Sequence, residues 1–168
     1  MSSREKIFHS VRKNTPEGEK PIPDLSELGM FFDSPIDQFI DSVPIVGGKC
    51  SRVNDLNELR AEVRKLSIVQ DAKHICCLIP DLVDSSIDLE EYENAHDLES
   101  LDVTIAAGEF GVAENGAIWI TDFGIKHRSC LFIPQHLILV IQSDQIINHM
   151  HQAYERIQFE PNRFGVFI

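Results

Sequence analysis

The chain has 168 residues, a formal net charge of -12 and 43% hydrophobic residues, which is ordinary for one globular domain with a hydrophobic core. Much of the negative charge lies between Asp81 and Asp102, a segment without lysine or arginine. Because this charge would repel a phosphate polymer or an anionic membrane, we expect neither nucleic-acid binding nor membrane association. The acidic segment itself is typical of a solvated helix and loop.

Targeting signals and cysteine spacing indicate where the protein resides and whether it binds a metal. No apolar run approaches the roughly 20 residues of a membrane-spanning helix, and the first residues lack the apolar core of a secretory signal. The four cysteines show no Cys-x-x-Cys spacing. Adjacent Cys76 and Cys77 would point to opposite faces of a strand, which argues against a shared metal. We therefore expect a cytoplasmic protein with no metal and no cofactor of its own.

The first half of the chain predicts an arm followed by helices. Residues 1–29 are polar and punctuated by prolines, so we expect an extended arm there and a single domain over residues 30–168. Ser34-Pro35 is typical of a helix start. Asn54 is predicted to cap a second helix, which begins near Leu56.

The second half predicts strands and one more helix. Short apolar runs predict strands at 74–79, from 103 onward, and at 118–120, 137–141 and 164–168. Ser143 is predicted to cap a helix whose apolar stripe runs from Ile146 to Ile157. Strands that alternate with helices predict an α/β domain with a mostly parallel sheet and helices on both faces.

The stretch from Gly108 to Gly116 places glycines and two carboxylates between apolar strands. Asn115-Gly116 is a strong signal for a tight turn, because both residues tolerate a positive φ. One interpretation is a hairpin turn beside a surface carboxylate. The other places Glu114 at a strand end, facing a cleft, as a general base or a nucleophile, with Gly116 allowing a ligand to approach closely.

Two basic residues downstream are further candidates. Arg128 is either a solvated loop cation or a bidentate clamp for a carboxylate or phosphate. His136 directly precedes an apolar strand and is either a structural histidine or a group that titrates in a site near neutral pH.

These residues together carry a family resemblance. The segments Phe110-Gly-Val-Ala-Glu-Asn-Gly-Ala-Ile-Trp-Ile and Leu131-Phe-Ile-Pro134-Gln-His136-Leu-Ile-Leu-Val, with Arg128 between them, resemble the LUD-domain family, in particular the LutC/YkgG group of lactate-utilisation proteins. The resemblance extends over roughly the last 120 residues and weakens towards the front.

The resemblance implies a fold, a role and a site. It implies a Rossmann-like sheet of the NagB/RpiA/CoA-transferase type. The implied role is that of an accessory, non-redox component in the oxidation of L-lactate to pyruvate, together with iron–sulfur partner proteins. The implied site takes a small carboxylate or acyl ligand and comprises Glu114 as a catalytic candidate and Asn115, Gly116, Arg128 and His136 as ligand-binding residues.

Departures from the family pattern keep alternatives open. Asn115 and Ala117 replace hydroxyl-bearing residues of the family turn, so a ligand contact through those hydroxyls is expected to be lost. The sequence stops at Ile168, where the family continues into a Gly-Pro-Ser-Lys-Thr loop, so part of the site is expected to be missing if that end is natural. Ala113-Glu114-Asn115-Gly116 also resembles the Ser-Glu-Asn-Gly turn of family I CoA-transferases, whose glutamate forms a thioester with CoA; such an enzyme would need a homodimer. A regulatory domain that senses a small molecule is a third possibility, because fold does not determine function.

Overall fold

The computed structural model describes residues 2–15, 29–158 and 164–168. Its helices are α1 (Ser3–Asn14), α2 (Pro35–Ile45), α3 (Leu56–Lys65), α4 (Ser67–Gln70) and α5 (Met150–Arg156). Its strands are β1 (Ile75–Cys77), β2 (Val103–Ala107), β3 (Phe110–Val112), β4 (Ile118–Thr121), β5 (His136–Val140), β6 (Ile146–Ile147) and β7 (Gly165–Phe167). Short 3-10 helices lie at Leu89–Glu91, Ala95–Leu98, Arg128–Leu131 and Ser143–Gln145. None of these helices is long and apolar enough to cross a membrane.

A three-stranded parallel sheet in the order β1-β2-β5 forms the centre of the molecule. Successive side chains of β2 point to opposite faces, so Val103 and Ile105 pack on one side while Thr104 and Ala106 pack on the other. All four are buried, which explains why the strand consists of apolar residues and one threonine without polar alternation. The prediction of an α/β fold with a parallel sheet is confirmed.

The two faces of this sheet are covered differently. Val63 of α3 and Val69 of α4 pack on the face that carries Val103 and Ile105. The opposite face is covered by the 3-10 helices, through Leu89, Leu98, Cys130 and Leu131. The acidic segment therefore contributes buried leucines to the core, while its carboxylates remain largely exposed to water.

A second, mixed sheet has the order β6-β3-β4-β7. β3 and β4 form an antiparallel hairpin, β6 runs parallel to β3, and β7 runs antiparallel to β4. The predicted sheet is thus divided in two, and only the first part is fully parallel. The physical reason is the short connection at 113–117, which reverses the chain and so makes its two strands antiparallel.

The last helix begins later than predicted. Ser143 does not cap it, because residues 143–145 form a 3-10 helix and Ile146–Ile147 form β6 beside β3. His149 is the N-cap instead, and its Nδ1 accepts a hydrogen bond from the backbone amide of Gln152. The apolar spacing of the segment suited a helix, but pairing with a strand distant in sequence decided its conformation.

The amino-terminal prediction needs a similar correction. Residues 3–14 form helix α1 and not an extended arm; residues 16–28 of the predicted arm lie outside the described residues. Ser2 and Glu5 form a capping box, in which each side chain accepts a hydrogen bond from the other residue's backbone amide. This reciprocal cap explains why so polar a segment is helical.

Helix α3 begins at Leu56 as predicted, but its N-cap lies one residue later than the predicted Asn54. Asp55, and not Asn54, is the N-cap, and its carboxylate accepts hydrogen bonds from the backbone amides of Asn57 and Glu58. A carboxylate is favoured there because it also complements the positive end of the helix dipole.

Candidate functional site

The predicted turn at Asn115-Gly116 is present and joins β3 to β4. Gly116 has φ +74°, a left-handed conformation that favours glycine. Its amide donates to the carbonyl of Val112 at 2.9 Å. The side-chain oxygen of Asn115 accepts a hydrogen bond from the amide of Ala117 at 3.0 Å. Both residues therefore serve the turn, as the hairpin interpretation predicts.

The close approach that Gly116 permits comes from the chain itself. A Cβ atom at this position would lie 3.1 Å from the backbone nitrogen of Val43 in α2. The hairpin turn consequently packs directly against α2. Neighbouring Ser42 reinforces this contact, because its hydroxyl donates to the carbonyl of Ala113 at 2.8 Å.

Glu114 holds the start of α5. Its Oε2 accepts a hydrogen bond from the amide of Met150 at 2.9 Å, and its own amide donates to the carbonyl of Asn148 at 3.0 Å. A carboxylate at the first residue of a helix satisfies an amide that has no partner within the helix. Glu114 is exposed, yet its carboxylate already has a structural contact.

Arg128 is exposed, and its guanidinium stacks on an aromatic ring. Its guanidinium lies 4.9 Å from the centroid of the Phe164 ring, which in turn contacts Phe132 edge-on with centroids 6.2 Å apart. Within residues 2–15, 29–158 and 164–168, no ion pair involves Arg128. A guanidinium that stacks on a ring retains its N–H groups for a ligand in the plane of the fork.

The 3-10 helix that carries Arg128 is anchored to the parallel sheet. Thr104 of β2 is fully buried, and its hydroxyl donates to the carbonyl of Cys130 at 2.8 Å. Cys130 and Leu131 are buried in the same core. Ser129 has a buried hydroxyl without a hydrogen-bond partner among the described residues. Arg128 thus projects from a 3-10 helix that is anchored in the core.

His136 opens β5 and lies opposite Val103 in the parallel sheet. Its amide donates to the carbonyl of Asp102 at 3.1 Å, and its side chain is half-buried. This is the amino-terminal edge of the sheet, whereas ligands of open α/β sheets gather at the carboxyl edge. The position suits the structural interpretation of His136.

The structure does not join the predicted site residues. Glu114 follows β3 at the turn of the hairpin, whereas Arg128 stacks on Phe164, next to the end of β4 that is farther from this turn. Among the described residues, no hydrogen bond, ion pair or ring contact links any two of Glu114, Arg128 and His136. Arg128 and Glu114 therefore have to be considered as separate candidates.

Two adjoining cavities lie at the carboxyl edge of the parallel sheet, where a ligand is expected in this class of fold. One has a volume of about 400 Å³ and is lined by Leu78, Ala106, Ala107, Glu109, Thr121, Phe123, Gly124 and Ile125. The other has a volume of about 550 Å³ and is lined by Cys76, Cys77, Leu78, Ser85, Ser86, Ile87, Asp88, Leu89, Glu90, Glu91, Gly124 and Lys126. None of the predicted site residues lines either of them.

The cavity at the end of β2 contains polar groups that the sequence did not single out. The hydroxyl of Thr121 donates to the carboxylate of Glu109 at 2.7 Å. Glu109 directly precedes β3 and Thr121 ends β4, so their contact depends on the register of β3 with β4. In the described part of the chain, no three His, Cys, Asp or Glu side chains are placed to hold a metal ion.

The parallel sheet and its covering helices define an α/β fold, and the cavities lie at the carboxyl edge, where ligands gather in open sheets of this kind. The LUD-domain family model matches residues 70–163, more than half of the sequence, and the chain belongs to the LUD-domain family. Its fold is similar to the crystal structure of a DUF162 family protein from Deinococcus radiodurans, with a TM-score of 0.62 and 18% sequence identity over 80% of this chain and 85% of that chain. No curated protein matches the sequence.

Proposed function

We propose that this LUD-domain protein is an accessory, non-redox component of L-lactate utilisation in the cytoplasm, which holds a small carboxylate at Arg128 while iron–sulfur partner proteins carry out the oxidation. Membership of the LUD-domain family supports the proposal. The observation that carries the binding part is the exposed Arg128 guanidinium, stacked on Phe164 without an ion pair in the described parts of the chain.

The chemistry of Arg128 suits a small organic acid. The planar guanidinium forms two parallel, charge-assisted hydrogen bonds with a carboxylate, which makes the contact both strong and directional. Stacking on Phe164 limits the rotamers of the side chain, so less conformational entropy is lost when the ligand binds.

The division of labour follows from the reaction itself. Oxidation of L-lactate to pyruvate removes two electrons and two protons, and the electrons need an acceptor such as an iron–sulfur cluster. The carboxylate of lactate is unchanged in this reaction. A protein that holds the carboxylate can therefore serve both substrate and product without itself being oxidised.

Ligand-dependent unfolding tests the binding part. Pyruvate or L-lactate should raise the thermal midpoint according to the ratio of its concentration to the dissociation constant. At ligand concentrations near the dissociation constant of the wild type, Arg128→Ala should reduce this rise to almost nothing, because the variant binds the ligand more weakly. Arg64→Ala is the matched control, because Arg64 is an exposed arginine of α3, which packs on the opposite face of the parallel sheet. A rise that is equal in Arg128→Ala and the wild type would exclude Arg128 as the clamp.

Reconstitution tests the partner part. The chain should co-purify with iron–sulfur proteins encoded beside it, and lactate-dependent reduction of an artificial electron acceptor should require all components. Full activity of the iron–sulfur proteins without this chain would contradict the accessory role.

Acyl transfer by Glu114 is the alternative from the same family of folds. The exposure of Glu114 favours it, whereas the hydrogen bond to the amide of Met150 supplies a purely structural use of the carboxylate. After incubation with acetyl-CoA, an adduct on Glu114 that is absent from Glu114→Gln would support this alternative. A sensor, the third possibility, would show the ligand-dependent rise in midpoint without any association with iron–sulfur proteins.

A further inference from the structure

Helix α1 has an apolar stripe that is exposed along its whole length. Every residue of the segment 2–15 is exposed. Ile7, Phe8 and Val11 are 62%, 51% and 58% exposed, and helical spacing places them on one face. A helix of 12 residues is marginal in water on its own, so α1 would gain stability if another surface covered this stripe.

The face that carries the stripe is also basic. Arg4 and Arg12 lie four residues before and after Phe8, so the three side chains form one ridge of the helix. The Arg4 guanidinium lies 5.5 Å from the centroid of the Phe8 ring. In total, α1 contains four lysine or arginine residues and one glutamate, although the whole chain has a net charge of -12. Helix α1 is therefore a basic amphipathic helix on an acidic protein.

The two cavities at the carboxyl edge of the parallel sheet form one groove, because Leu78 and Gly124 line both of them. Further apolar residues line this acidic groove: Ile87, Ala106 and Ile125. Four exposed carboxylates line it as well: Asp88, Glu90, Glu91 and Glu109. Among the described residues, Lys126 is the single cation that lines the groove, and its Nζ lies 3.7 Å from the carboxylate of Glu90. The groove thus combines apolar surface with an excess of negative charge.

The acidic groove and α1 are complementary in both respects. An amphipathic helix that lays its apolar face in a groove is a common mode of recognition, and opposite charges around the groove fix the orientation of the helix. In its own chain α1 does not occupy the groove, since residues 2–15 are exposed and none of them lines either cavity. A second copy of the chain offers the same groove. An anionic membrane, the other surface that such helices bind, would be repelled by the acidic remainder of the chain.

We propose that α1 docks in the acidic groove of a second copy of this chain. Because each copy has one helix and one groove, the exchange is reciprocal and gives a closed dimer with two identical contacts. In each contact the apolar stripe of α1 covers apolar residues of the groove, while Arg4 and Arg12 face its carboxylates. Arg128 belongs to neither surface, so the dimer is independent of carboxylate binding.

Sedimentation velocity of the full chain over a range of concentrations tests for the dimer. The mass should rise with concentration from the 19.0 kDa of one chain to twice that value. Phe8→Ala should raise the dissociation constant of the dimer about 10-fold or more, because a large apolar anchor is lost. His9→Ala is the matched control, because His9 lies on the side of α1 away from the stripe, and it should dimerise as the wild type does.

Charge reversal tests which two surfaces meet. Arg4→Glu combined with Arg12→Glu makes the docking face of α1 acidic, and Glu90→Lys combined with Glu91→Lys makes the groove less acidic and adds two cations. Each double variant alone should be monomeric at concentrations at which the wild type is a dimer, because like charges then face one another. An equal mixture should form a heterodimer. In that heterodimer the acidic helix meets the altered groove, while the other contact is that of the wild type.

Lys49→Glu combined with Arg52→Glu is the control for net charge. Both residues are exposed and lie outside α1 and the groove, so this variant should dimerise as the wild type does. No residue of α1 is buried, so the helix variants should keep the urea midpoint of the monomeric wild type. A wild type that is monomeric at every concentration, or a mixture that does not form the heterodimer, would overturn the proposal. Binding of a monomeric wild type to phosphatidylserine vesicles, lost in Phe8→Ala, would assign α1 to a membrane surface instead.

Discussion

Replacement of Thr104 by valine tests how the 3-10 helix that carries Arg128 is held in place. The Thr104 hydroxyl is fully buried and donates to the carbonyl of Cys130 at 2.8 Å. Valine has nearly the same shape, so the change removes this hydrogen bond without leaving a cavity. The Cys130 carbonyl would then lose its only side-chain donor among the described residues.

The magnitude follows from the cost of an unsatisfied buried acceptor. Such a group costs about 1–3 kcal/mol. The valine methyl group offsets a part of this cost, since it needs no hydrogen bond in an apolar site. We expect a net loss of about 1–2 kcal/mol in the free energy of unfolding. With a urea m-value near 2 kcal/mol/M, the urea midpoint should fall by about 0.5–1 M.

Thr121→Val is the matched control for this urea experiment. Thr121 also lies in a strand, but its hydroxyl donates to the carboxylate of Glu109 at an exposed site. Its replacement should change the free energy of unfolding by no more than about 0.5 kcal/mol. If Thr104→Val lowered the urea midpoint no more than Thr121→Val did, the proposed anchoring through Cys130 would be refuted.

Three further predictions concern the turn, the last helix and acid stability. Glu114→Ala should lower the free energy of unfolding by about 1 kcal/mol, because the amide of Met150 loses its acceptor. Glu114→Gln should lower it less. Equal stability of the wild type, Glu114→Ala and Glu114→Gln in urea would contradict the capping role. Gly116→Ala should lower the thermal midpoint by about 2–8 °C for a loss of about 1–2 kcal/mol, since φ is +74° and Val43 is close; an unchanged midpoint would count against this packing. Backbone hydrogen bonds from His74 and Lys73 hold the pKa of Asp102 below its usual value. The wild type should therefore be more stable to unfolding than Asp102→Asn above the unfolded pKa of about 4, and this difference in stability should vanish as the pH falls through the lower folded pKa. A difference in stability that is constant with pH would contradict this reasoning.

The parts of the fold that the sequence predicts well are those in which the local pattern and the environment agree. The strands predicted from Val103 and from Leu137 are short apolar runs, and both belong to the parallel sheet as β2 and β5. The hairpin turn follows from the backbone freedom of Asn115 and Gly116, which no neighbour needs to supply. In these cases a few adjacent residues contain all the information that decides the structure.

The predictions that are wrong depend on partners or on details outside the pattern. Residues 146–147 suit a helical stripe, yet they pair with β3, a contact that spacing along the chain does not reveal. The helix α1 is a different case, because its capping box at Ser2 and Glu5 is a local signal that outweighs the polar composition of the segment.

In the candidate site, too, the sequence reveals some residues but not the contacts that surround them. Arg128 is recognisable from its place in the family pattern, but Phe164 beneath it is distant in the chain and no local motif pairs them. The anchoring of the 3-10 helix that carries Arg128 likewise depends on a hydrogen bond between Thr104 and Cys130, which are distant in sequence. Sequence patterns can therefore nominate single residues of a site, whereas the groups around each residue come from tertiary packing.

Calorimetric titration of pyruvate into the wild type, Arg128→Ala and Arg64→Ala tests the central claim most directly. A charge-assisted hydrogen bond contributes about 1.5–3 kcal/mol, so Arg128→Ala should weaken binding about 10- to 100-fold. Arg64→Ala should bind pyruvate as the wild type does. Equal affinity of the wild type and Arg128→Ala, or no binding of pyruvate and L-lactate to the wild type, would contradict a carboxylate site at Arg128.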